Sequence, residues 1–125
     1  MNKWIFSAGI LSIFTCVVHV FGGGPEVHVP VLNSTLSIEL KAIISVLWHW
    51  TTAVLIINGV ALMWAAKRAE QQKVVTILVG MQYVAFAGMF IFYSLYLLGS
   101  AMSMPQWTLF LVIVLVSVVG LRKRA

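Results

Sequence analysis

Residues 18–28 read Val18-His19-Val20-Phe21-Gly22-Gly23-Gly24-Pro25-Glu26-Val27-His28. Two of the chain's three histidines and one of its three acids fall here, wrapped around Gly-Gly-Gly-Pro. Local chemistry reads this as a break. Glycine takes the left-handed cap that ends a helix, and proline pushes the residue before it towards extended backbone. From Glu26 to Val31 polar and apolar residues alternate with period two. The expectation is a loop over residues 22–35, a helix stop followed by an extended flap. Val27, Val29 and Val31 would share one face of that flap, with Glu26 and His28 on the other. Asn33-Ser34-Thr35 would then cap the next helix.

What this break separates is settled by composition. The chain has 125 residues, 62% hydrophobic and 9% charged, with mean hydropathy +1.04. A soluble domain carries about a quarter charged residues, so this chain has no surface to offer water. Apolar runs cover about residues 4–21, 42–66, 74–98 and 102–121. Each has the roughly 20-residue length that crosses a bilayer as a helix. The runs are continuous rather than alternating, which excludes a transmembrane barrel. The first is long for a signal peptide's h-region of about 7–15 residues, so it is expected to stay as a span. The expected fold is an all-α membrane protein: one domain, four transmembrane helices, an up-down-up-down antiparallel bundle.

Charge gives orientation. The net charge of +5 sits at segment ends and forms no stripe, so no nucleic-acid partner is expected. Lys3, the Lys67–Lys73 connection and Arg122-Lys123-Arg124 mark the cytoplasmic side. Both termini are expected there, and residues 22–35 form an outer, periplasmic loop in a bacterial inner membrane. The single cysteine, Cys16, excludes an internal disulfide and any CxxC site.

Candidate chemistry lies in the outer half. Ala8, Ser12, Thr15 and His19 recur on one face of the first helix. Ser45, His49, Thr52, Ile56 and Gly59 do so on the second. Small and hydroxyl residues of this kind are what membrane helices use to approach and bond one another. His49 lies about seven residues inside its span, roughly 10 Å deep at 1.5 Å per residue. An ionisable residue there is a candidate functional group, and neutral imidazole is the metal-binding form. His19 and His49 thus form a candidate ligand pair for copper, zinc or iron, with His28 and Glu26 as outer ligands or a gating flap. A haem held by His19 and His49 is a sharper version that needs both imidazoles at one depth. The segment boundaries leave them about 6 Å apart in depth.

Asn58 and Gln82 fall at matching depth and are expected to form a structural amide pair. Gln82, Phe86, Met89, Tyr93 and Tyr96 share a face of the third helix that would suit a quinone or lipid tail. No nucleophile–base–acid set and no phosphate loop is present. Three readings follow. The first is a histidine-centred metal or redox-cofactor site at the periplasmic side. The second is a non-catalytic subunit or assembly partner of a larger membrane complex or homo-oligomer. The third is a carrier of a small apolar molecule or lipid.

Overall fold

A computed structural model of the chain describes residues 1–123. It is all helix, with no strand among the described residues. Helix α1 runs Lys3–Leu32, α2 Ile38–Ala65 and α3 Gln72–Leu98, and each is long and apolar enough to cross a membrane. A shorter apolar helix, α4, covers Trp107–Arg122 after a 3-10 turn at Ala101–Ser103. These lengths and compositions make the chain a multi-pass membrane protein. The 28 residues of α2 extend about 42 Å, beyond the hydrocarbon core of about 30 Å.

The Gly-Gly-Gly-Pro stretch does not end the first helix. The α-helix Lys3–Val17 passes directly into an 11-residue π-helix, Val18–His28, and then into a last α-turn, Val29–Leu32. The expected loop at residues 22–35 and its extended flap are therefore corrected to helix as far as Leu32, and only the turn at residues 33–37 remains. Val29 N–H bonds to Gly24 O, the five-residue reach that defines the π form. Three physical causes outweigh the local signals. An open backbone in lipid leaves N–H and C=O groups unsatisfied, which hydrocarbon penalises. The wide π turn gives the Pro25 ring room beside the carbonyl of Phe21, where an α-helix would force a clash. The bare backbone at Gly23 also receives a ring from α2, as described below.

Other boundaries shift less. The cap of α2 is Ser37, whose hydroxyl accepts from Leu40 N at 3.4 Å. The expected cap, Asn33-Ser34-Thr35, lies a turn too early, and Ser34 instead donates back to Val31 O. Gly99 ends α3 in the left-handed conformation, φ 73. The fourth segment begins its α-helix at Trp107 rather than near Met102.

Helix α1 packs along α2 on one side and α4 on the other. Helix α3 packs on α4, and α2 and α3 touch each other over a shorter stretch. The α1–α2 crossing is made by two glycines. A Cβ at Gly9 would fall 2.7 Å from Gly59 O, and one at Gly59 would fall 2.7 Å from Ile13 Cδ1. Close backbone approach of this kind replaces hydrophobic drive as the glue between membrane helices. The α3–α4 seam is aromatic, with Tyr83, Phe86 and Phe90 all within 5.9 Å of Phe110, ring centre to ring centre.

Two polar clusters tie the helices together. At one end Asn2 caps α1 through Trp4 N and Ile5 N. Its amide donates to Gly120 O at 2.8 Å and Gln72 Oε1 at 3.1 Å, and its own N–H bonds to Ala66 O at 2.7 Å. Gln72 Nε2 donates to the same Ala66 carbonyl at 3.1 Å. One residue, through its side chain and its backbone N–H, thus joins α1, the end of α2, the start of α3 and α4. Midway along, the Ser12 hydroxyl donates to Leu55 O at 2.7 Å. Tyr83 OH is hydrogen-bonded to the same hydroxyl and, with that proton engaged, is the donor.

Candidate histidine–tryptophan site

The geometry around the three histidines follows from the width of the π turn. His19 and His28 are nine residues apart. In an α-helix at 3.6 residues per turn that spacing is two and a half turns, which sets the two on opposite faces. With five-residue bonding the turn widens to about 4.4 residues, so the same spacing is close to two whole turns. Both histidines therefore face α2.

There they meet Trp48. The His19 ring stacks on the indole with centroids 4.0 Å apart and planes at 24°. The His28 ring stacks at 5.5 Å and 5°. The far edge of the indole rests on Gly23, where an added Cβ would lie 3.0 Å from Trp48 Cη2. Gly23 lies between the two histidines along α1, so a single indole touches all three residues.

Hydrogen bonds fix the rings further. His19 Nε2 donates to Trp48 O at 3.2 Å. His28 Nε2 is 3.0 Å from the Ser45 hydroxyl. His49, one residue beyond Trp48, lies edge-on to His28 with centroids 5.3 Å apart and planes at 85°. It is exposed, and among the described residues it makes no side-chain hydrogen bond. An exposed imidazole inside an apolar helix is the outlier of this region.

The four expected ligands are not brought together as one set. Glu26 lies two residues from His28, under half a π turn, and is exposed on another side of α1. His19 is stacked on the indole, and its Nε2 is committed to a backbone carbonyl. Among the described residues no group of three or more His, Cys, Asp or Glu is placed to hold a metal ion. The pair the structure does bring together is His28 and His49, nine residues of π-helix beyond the histidine that sequence spacing favours.

The remaining candidates are placed as follows. Asn58 Nδ2 donates to Gln82 Oε1 at 3.3 Å, joining α2 to α3. Phe86, Met89 and Tyr93 line an open apolar cleft with Phe90 and Met104, while Tyr96 is largely exposed. Three residues went unread in sequence. Trp48 carried a signal in its position between Leu47 and His49, and Tyr83 carried one as a lone hydroxyl amid apolar residues. Asn2 was legible as a helix cap but not as a four-helix junction. Comparison of the chain with protein-family models, with curated proteins and with solved structures finds no match.

Proposed function

We propose that this protein binds a transition metal ion through His28 and His49, in a four-helix antiparallel bundle of the bacterial inner membrane. The edge-to-face contact of the two imidazoles carries the reading. With nitrogen about 2.0 Å from the metal, two imidazoles on one tetrahedral ion put their ring centres about 5 Å apart. The His28 and His49 centroids are 5.3 Å apart. Ser45 supplies the outer partner such a ligand needs. A His28 Nε2–H donated to its hydroxyl fixes the ring and leaves Nδ1 as the ligand nitrogen. Two protein ligands leave positions open for water, a small substrate or a ligand from another protein. Imidazole nitrogen suits zinc, copper and iron alike.

The basic residues support the orientation. Lys67 and Arg68 fall between α2 and α3 and Lys73 in the first turn of α3, while Arg122 ends α4 and Lys123 follows it. Their distribution supports a reading with the termini in the cytoplasm and the histidine site towards the periplasm. Helix α4 is about 24 Å long by its rise, and it completes a crossing with Arg122 and Lys123 reaching to the interface.

Metal analysis and zinc or cobalt titration of the protein in lipid nanodiscs test this. One ion per chain is expected, lost in both His28→Ala and His49→Ala and kept in His19→Ala. No metal in any form, with stable co-purification of another membrane protein, would replace this reading by that of a non-catalytic subunit.

A further inference from the structure

We infer that Trp48, seated on Gly23, is the positioning residue that holds the π register of α1 and so delivers His28 to His49; this rests on the metal-site reading above. A π-helix rarely exceeds a single turn, whereas here it runs for 11 residues. Something outside its own backbone must hold it. The sequence within it is unusually free to change register: three glycines carry no side chains, and Pro25 has no N–H to lose. The contacts that distinguish one register from another converge on one ring. His19 stacks on it at 4.0 Å, His28 at 5.5 Å, and Gly23 meets its edge. Were the segment α-helical, His28 would turn half a revolution away from His19, and neither Ser45 nor His49 would reach it.

The three glycines differ in a way that makes this testable. A Cβ at Gly23 would press on Trp48 at 3.0 Å, whereas one at Gly22 meets only Val18 at 3.8 Å and one at Gly24 meets nothing within 4 Å. By helix propensity alone all three substitutions to alanine favour the helix. If Trp48 holds the register, Gly23→Ala stands apart from the other two.

The register is read without metal by cross-linking. In a Cys16→Ala background, the thiols of the double variant His28→Cys, Ser45→Cys, which loss of the imidazole leaves too far apart for a direct disulfide, are expected to be joined between α1 and α2 by a short bis-thiol-reactive cross-linker in nanodiscs. Adding Trp48→Ala or Gly23→Ala abolishes it, Gly24→Ala leaves it, and Trp48→Phe, which keeps an aromatic face, restores part of it. With the histidines intact, zinc affinity falls about tenfold to a hundredfold in Trp48→Ala and Gly23→Ala and stays unchanged in Gly24→Ala. Cross-links that form equally in Trp48→Ala and Gly23→Ala would overturn the positioning role. Cross-links that follow the expected pattern in a protein that binds no zinc would sustain that role and sink the metal reading alone.

Discussion

The two ends of α1 use polar side chains in opposite ways. At Asn2 the amide, the backbone and the partners from three other helices are all buried and paired. At His19 and His28 the polar groups are half-buried, the helix adopts a less favourable form, and His49 stands exposed without a hydrogen bond among the described residues. In lipid, full pairing is what stability requires, and the Asn2 end meets that requirement. The histidine end departs from it with aromatic stacking, a distorted helix and an imidazole left open. Departures of that kind mark functional sites, because a group already satisfied within the protein has nothing to offer a ligand.

Substitutions should break the two ends differently. The largest effect is expected at the α1–α2 crossing, where Gly59→Val meets Ile13 and the Gly9 carbonyl and destabilises by about 3 kcal/mol or more. Chemical unfolding in mixed micelles reads it. Next comes Asn2→Ala, which leaves Gly120 O without its donor and Gln72 Oε1 unpaired at a cost of about 2–3 kcal/mol. The same assay checks it, and a loss below the scatter between preparations would mean the Asn2 end is not the anchor described. His28→Ala is expected to sit well below both in stability, within about 1 kcal/mol of the parent, because its bond to Ser45 is only partly buried. On the proposed function its effect falls on metal content instead. The smallest is Thr76→Val. The Thr76 hydroxyl is buried with no partner among the described residues, so its removal should leave stability unchanged or raise it by about 1 kcal/mol.

Much of the fold was legible in sequence because bilayer thickness and charge act on whole segments. Ala42–Ala66 differs from the observed Ile38–Ala65 only at its ends. Residues 22–35 were misread because glycine, proline and period-two alternation are local signals, while a lipid solvent and the Trp48 ring decide that segment from outside. The histidine pair was misread for the same reason. A pitch of 3.6 residues per turn on the second helix and a period of two after Pro25 set the expected faces. A π turn follows neither. Asn58 and Gln82 sit in regular α-helix, where depth counted in residues carries over directly to space, and they meet.

The central claim is that a π register sets His28 beside His49. Solid-state NMR of protein with ring-labelled histidine in bilayers, without added metal, tests it most directly. The account predicts through-space coupling between the His28 and His49 rings, whose centres lie 5.3 Å apart, together with an i→i+5 hydrogen bond from Val29 N–H to Gly24 O. Absence of that coupling, with Val29 N–H bonded instead to Pro25 O as in an α-helix, would contradict it.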